Sequence, residues 1–206
     1  MDPKADVRRL LEEHGTTYAA AAGIKLTDKP APLFRLLVLT MLSSTRISAG
    51  IATEAARQLF AQGWRTPERM LASSWQQRVR ALGAAGYRRY DESTATQLEN
   101  LSRHLQEGYD GDLRRARPSR ARGADALIEE IGSFPRIGPI GARIFCREVQ
   151  AVWPEVRPFF DDRALETAQR LGLPTDPVTL AGLVPEDRVA ELAAALARAH
   201  LAADPT

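Results

Sequence analysis

The sequence predicts an all-α fold, and three observations carry that prediction. Apolar residues recur at helical spacing along most of the 206 residues. Strand-like alternation is absent, and no repeat of fixed period occurs. Proline, glycine and capping residues punctuate the periodic stretches where helices should start and stop. With 44% apolar and 26% charged residues, the chain has material for one large domain or two small lobes.

The elements follow in order. Val7, Leu10 and Leu11 share one helical face, and Gly15 closes the segment. "PAPLFRLLVLTMLSS" opens on prolines and is apolar nearly all round, as a helix surrounded by other helices would be. A further helix is expected from Ala49 to Phe60. Thr66 and Pro67 then fit the cap and first position of the next. "SWQQRVRALG" ends at Gly83, and "YDESTATQLENLSRHLQ" gives a longer amphipathic helix that stops near Gly108. After the basic stretch "DGDLRRARPSRARG" come a short helix, "ADALIEEIG", and a helix from Pro139 to about Val152. "WPEVRPFF" reads as a proline-punctuated connector. "DDRALETAQRLG" is a capped helix with Ala164, Leu165, Ala168 and Leu171 on one face, and "PEDRVAELAAALARAHLA" is the last helix.

Bulk chemistry narrows the function classes. The net charge of +2 argues neither for nor against a polyanionic partner, but only three of the 28 basic residues are lysine: Lys4, Lys25 and Lys29. No lysine occurs beyond residue 29. The single cysteine, Cys146, excludes an intramolecular disulfide and any four-thiolate metal site within one chain. His14, His104 and His200 form no ligand pattern. The N-terminus is charged and helical in pattern, unlike a secretion signal, and "LFRLLVLTML" is interrupted by Arg35 and too short to span a bilayer. A cytoplasmic location without membrane association is therefore expected.

The stretch "FPRIGPIGARIF", Phe134 to Phe145, joins two short helices through a tight turn and so describes a helix-hairpin-helix. Gly138 permits the turn, and Pro139 fits the first helical position, where a missing N–H costs nothing. Free amides at that helix start, reinforced by its dipole, suit a phosphate. An ordinary core hairpin fits the same residues.

Four motifs in sequence order resemble the endonuclease III branch of the helix-hairpin-helix DNA glycosylases. They are "LLVLTMLSSTR", "LGAAGYRRYDESTATQL", "FPRIGPIGARIF" and "RPFFDDRALETAQRLGLP", and the resemblance covers most of the chain. It implies a two-lobe fold: a helical barrel of residues 33–150, with the hairpin at about 124–150, and a second lobe from 1–32 plus 151–206. It also implies excision of a damaged base from double-stranded DNA in base excision repair. The enzyme would act as a monomer associated with the nucleoid.

The departures from the family pattern define the expected subtype. Ile140 stands where bifunctional members place the Schiff-base lysine, Arg136 replaces the first hairpin glycine, and Thr45 occupies the place of the probing glutamine. The C-terminal four-cysteine cluster loop is missing. Strand cleavage through a Schiff base needs an amine, so a monofunctional N-glycosylase without metal or organic cofactor is expected. The alternative is a DNA-structure-binding protein that kept the hairpin and lost catalysis.

The resemblance puts the family's catalytic carboxylate on Asp161, with Asp162 as the alternative; a helix cap is the structural role open to either. Arg136, Ile137, Gly138, Ile140 and Gly141 are the expected DNA contacts of the hairpin, with Ile140 otherwise a core residue. Arg114, Arg115 and Arg117 are expected to act as backbone contacts, because their basic run immediately precedes the hairpin. Thr45, Arg46, Tyr87, Arg88 and Tyr90 are candidates for base flipping or the base pocket. A buried tyrosine pair is the competing reading for Tyr87 and Tyr90.

Overall fold

Twelve α-helices and three short 3-10 turns account for the regular structure of residues 3–45 and 47–203, the part described by this computed structural model; no strand occurs among the described residues. The helices are α1 (Pro3–His14), α2 (Tyr18–Ala21), α3 (Pro30–Ser43), α4 (Ala49–Ala61), α5 (Pro67–Leu71) and α6 (Trp75–Ala84). They continue with α7 (Asp91–Tyr109), α8 (Gly123–Gly132), α9 (Gly138–Val149), α10 (Asp162–Arg170), α11 (Pro177–Ala181) and α12 (Val189–Ala203).

Most starts have a local cause. Side-chain oxygens of Thr17, Ser48, Thr66, Ser74, Asp161 and Asp176 accept amides of α2, α4, α5, α6, α10 and α11. Each such cap contributes about 1 kcal/mol. Ser74 and Gln77 close a reciprocal capping box. The helices α2 and α11 span only four and five residues, too short to show a period, and sequence reading does not find them.

Two apolar cores divide the chain. The first is built around α3, which buries nine of its 14 residues, Leu33 to Leu42 with only Arg35 left out. Helices α4 and α9 pack directly on α3, and Leu59, Leu82, Leu98, Leu127 and Phe145 bring α4 and α6 to α9 into the same core. The second core joins Val7 and Leu10 of α1 to Ala164 and Ala168 of α10 and Leu192 and Leu196 of α12. Tyr18 to Ile24, Trp153 and Val156 belong to the first core, so the expected assignment of 1–32 and 151–206 wholesale to the second lobe needs correcting at both seams. The chain crosses between cores at Gly15 to Thr17 and again between Val156 and Phe160. Leu171, expected on the buried face of α10, caps that helix at 39% exposure, and Leu173 turns inward instead.

Candidate active site

The hairpin begins where α8 ends. Ser133 and Phe134 close the last turn of α8 with bonds to the carbonyls of Glu130 and Ile131 at 3.2 and 3.1 Å. Phe134 is buried against the rings of His104 and Tyr109 on α7, with centroids 4.6 and 5.1 Å away, which pins the turn to the barrel. Arg136 and Gly138 then both adopt the left-handed region, at φ 65° and 62°, with buried Ile137 between them. Glycine enters that region freely, whereas an L-residue is strained by roughly 1–2 kcal/mol. Arg136 therefore holds its exposed position at a backbone cost.

Helix α9 starts at Gly138 with no side-chain cap. The amides of Gly138 and Ile140 precede the first intrahelical bond of α9, and no side chain caps them. These amides and the positive end of a 12-residue helix form a feature suited to an anion. Ile140 beside them is 65% exposed, which corrects its reading as a core residue. Gly141, by contrast, is buried: a Cβ there would sit 2.2 Å from Ser44 Oγ. Its smallness seats α9 against the end of α3. Ala142 meets Gly132 on α8 at 3.8 Å from the position of a Cβ, the close helix contact that gives the hairpin its shape.

That packing gathers three parts of the chain. The end of α3 carries Thr45, whose hydroxyl donates to Leu42 O at 2.9 Å and also contacts the Tyr87 hydroxyl. Tyr87, from the turn between α6 and α7, has no exposed surface and donates to Leu42 O at 3.1 Å. Burial raises its hydroxyl pKa, opposed by hydrogen bonds from Thr45 and Thr94 and by nearby Arg136. An anchored tyrosine inside the core cannot enter a duplex, so the buried reading holds for Tyr87. Tyr90 is half-buried with the Arg89 guanidinium 5.4 Å over its ring, and Arg88 is exposed. Arg46 lies outside the described residues. Arg88, Arg89, Arg136 and Ile140 are exposed, and Arg136 lies close enough to Tyr87 to act on its hydroxyl.

The arginine run lies elsewhere. It precedes α8, whereas the hairpin follows it, and ten helical residues separate the two by about 15 Å. Arg114 pairs with Asp112 at 2.7 Å, and Arg115 pairs with Asp110. Arg117 is a structural clamp: it bonds Asp28 at 2.7 Å and Glu155 at 2.9 Å and lies over the Trp153 ring. Asp28 also accepts from Trp153 Nε1 at 2.9 Å. The sequence adjacency that suggested backbone contact for these three arginines becomes opposite ends of a helix, and each of them is engaged by an acid.

Asp161 and Asp162 part company. Asp162 is solvated, with a loose contact to Arg143 at 3.4 Å. Asp161 is buried at the start of α10; Oδ1 accepts from Ala164 N at 3.0 Å, and Oδ2 accepts from Arg147 Nη1 at 2.5 Å. Arg147 projects from α9, so this bond joins the two lobes. The structural role anticipated for Asp161 is present, together with an ion pair that sequence reading missed. Glu148, also buried, accepts the Ala19 amide at 2.9 Å and lies 3.8 Å from Arg147 Nε. Burial opposes the charge of Arg147, but Asp161 and Glu148 outweigh it and raise its pKa above the ordinary value. Tyr18 is sandwiched by the guanidinium groups of Arg147 and Arg198 at 5.0 and 4.4 Å. A cavity of about 330 Å³ is lined by Tyr18 and Arg198 together with His14 and Ala49. The signal for the cluster was legible: Arg147 and Glu148 interrupt a run of otherwise apolar buried positions on α9.

These features define an all-α, two-lobe helix-hairpin-helix fold with a carboxylate at the junction of the lobes. Two solved structures share that fold. One is a trapped endonuclease III–DNA covalent intermediate, an estranged-adenine complex, at TM-score 0.50 and 19% identity. The other is a non-covalent endonuclease III–DNA complex, at TM-score 0.51 and 18% identity. Each similarity covers 96% of this chain and 85% of the other. The architecture is thus the endonuclease III-like helix-hairpin-helix glycosylase fold. No protein-family model matches the chain. No curated protein matches it either. A four-thiolate iron–sulfur cluster does not fit these residues, since the one cysteine is buried in the first core with its thiol pKa pushed up by burial. Among the described residues no group of three or more His, Cys, Asp or Glu side chains is arranged to hold a metal. No helix among them is long and apolar enough to cross a membrane.

Proposed function

We propose that the protein is a monofunctional DNA N-glycosylase that excises a damaged or modified base in base excision repair. The observation that carries this reading is the placement of Asp161. Its carboxylate is fixed where α10 meets α9, in a fold shared with DNA-bound endonuclease III. The exposed start of α9 and Arg136 would hold a phosphate of the lesion strand, and Arg88 and Arg89 would meet the duplex beside it. An extruded nucleotide would then face the lobe junction.

As the N-glycosyl bond breaks, the base leaves with the bonding electrons and positive charge grows on the deoxyribose. A fixed carboxylate in a water-poor site stabilises that charge and orients the water that adds to the sugar carbon. The water gives up one proton as it bonds to the sugar carbon, the departed base takes up one proton, and an abasic site bearing a hydroxyl is left. Ile140 offers no amine, so its place on α9 supports hydrolysis without strand cleavage. The protein would act as a monomer in the cytoplasm, on nucleoid DNA.

The test is a panel of duplexes, each with one lesion, scored for abasic sites by alkaline cleavage. Strand breaks that appear only after alkali support the reading. Breaks without alkali, together with a borohydride-trapped protein–DNA complex, would replace hydrolysis by lyase chemistry. One observation favours a second reading, a binding protein without catalysis: both oxygens of Asp161 already have protein partners. High affinity for lesion duplexes with no abasic product across the panel would select it.

A further inference from the structure

We propose that Arg147 is a positioning residue for base release, acting through Asp161; the inference rests on the glycosylase reading above. Asp161 caps the start of its helix, and its amide partner at Ala164 restrains only Oδ1. Rotation about its side-chain bonds is stopped at the other oxygen, where Arg147 Nη1 donates. The guanidinium is in turn clamped. Glu148 Oε1 stands 3.8 Å from its Nε, a charge contact without a hydrogen bond, and the Tyr18 ring lies 5.0 Å from its centre. Glu148 is tethered to the Ala19 amide at 2.9 Å, so the clamp is built on the backbone of α2.

Arg147 itself is 3% exposed. A surface arginine would give a screened and mobile contact; this one fixes a direction. The carboxylate therefore presents its unused lone pairs to one side only, the side away from Arg147 and from the α10 backbone. Charge balance follows the same logic. Arg147 lies between two acids, Asp161 and Glu148, and Arg198 faces the pair across Tyr18. Asp162 and Arg143 pair outside the cluster at 3.4 Å, and Glu166 and His200 pair between α10 and α12 at 3.6 Å.

A positioning role predicts a particular division of kinetic effects. A one-ångström displacement of a reacting group costs about a hundredfold in rate, whereas DNA held by the hairpin would not sense it. The experiment compares Arg147→Met and Arg147→Lys in single-turnover base release from the best lesion duplex, with duplex affinity and thermal unfolding measured on the same samples. The expected result is a fall of about a hundredfold in rate for Arg147→Met with affinity within about twofold, and only partial recovery, to about a tenth of the native rate, in Arg147→Lys.

Should Arg147→Met leave too little folded protein to assay, Arg147→Lys alone decides. A rate loss that exceeds the loss of folded fraction, at unchanged affinity, supports positioning. A native rate in Arg147→Lys, scaled only by folded fraction, overturns it, as does equal loss of rate and affinity in either variant. Positioning and glycosylase activity fail differently. If Asp161→Asn stops base release and Arg147→Met does not, only the role of Arg147 falls. If the native protein releases no base from any duplex, the glycosylase reading falls first.

Discussion

At the scale of single residues, Asp161 and Arg136 each combine a functional expectation with a measurable cost. On the proposed mechanism Asp161→Asn should reduce base release by at least about a hundredfold, since it removes the charge proposed to stabilise the transition state. It also leaves Arg147 buried without its nearest anion, so unfolding should come about 3 kcal/mol more easily. Rate and thermal unfolding on one sample check both, and a normal rate in this variant would shift the role to Asp162 or to none. Arg136→Gly should act in the opposite sense on stability. Relief of the left-handed strain should raise unfolding free energy by about 1 kcal/mol, while lesion-duplex affinity falls.

Glu148 gives a pH signature at the same scale. Burial raises its carboxyl pKa against the pull of Arg147 and of the backbone amides of Ala19 and Tyr18. A carboxyl whose folded pKa lies above its unfolded value contributes stability that is complete below the unfolded pKa and is lost as pH rises through the folded one. Glu148→Gln lacks that loss. Its melting temperature should therefore gain on the native protein's as pH is raised from about 4 to 8, and a constant difference across that range would count against a pKa raised by burial.

At the scale of elements, the hairpin shows how two glycines near one turn serve different purposes. Gly138 needs its freedom of conformation: at φ 62° a Cβ would meet nothing within 4 Å, so Gly138→Ala should cost about 1 kcal/mol from strain alone. Gly141 needs its lack of volume. A Cβ there meets Ser44 Oγ at 2.2 Å and Ile137 Cγ2 at 2.8 Å, so Gly141→Ala must displace α9 from α3 or move both side chains. Overpacking of this kind costs about 1–3 kcal/mol. Combining Gly141→Ala with Ser44→Gly should recover part of that stability, because the nearest clashing atom is gone, whereas Ser44→Gly should do nothing for Gly138→Ala. Thermal unfolding of the single and double variants checks the distinction. Equal recovery in both backgrounds would show that the two glycines share one role.

At the scale of the whole molecule, the position of the charges decides which of them could meet the duplex of the proposed function. The run from Arg114 to Arg117 stands at the far end of α8 from the hairpin and is engaged by Asp112, Asp110, Asp28 and Glu155. Arg136 on the hairpin and Arg88, the residue after Tyr87, are both exposed. Replacing Arg88 and Arg136 by Gln should weaken DNA binding and flatten the plot of log affinity against log salt by about one unit for each phosphate no longer neutralised. The pair Arg114→Gln and Arg115→Gln should leave that slope unchanged. A reversal of these two results would mean that DNA runs along the other end of α8.

The sequence by itself determined the helical class, the hairpin and its proline-marked second helix, and the absence of a lysine from the start of that helix. Each of these is local: periodicity, a turn and one residue's identity are written within a few neighbours. It also put an aspartate, Asp161 or Asp162, at a helix start, because capping depends on the next three residues, and the structure chose Asp161. Only the tertiary structure decided that Tyr87 is buried, that Ile140 is exposed, and that Arg117 is a clamp rather than a free charge. Those outcomes depend on which helices meet, and a tyrosine or an arginine suits either surroundings until its partners are known. The same holds for the bond between Arg147 and Asp161. Its two residues stand 14 positions apart on different helices, and no local pattern brings them together; the packing of the two lobes does.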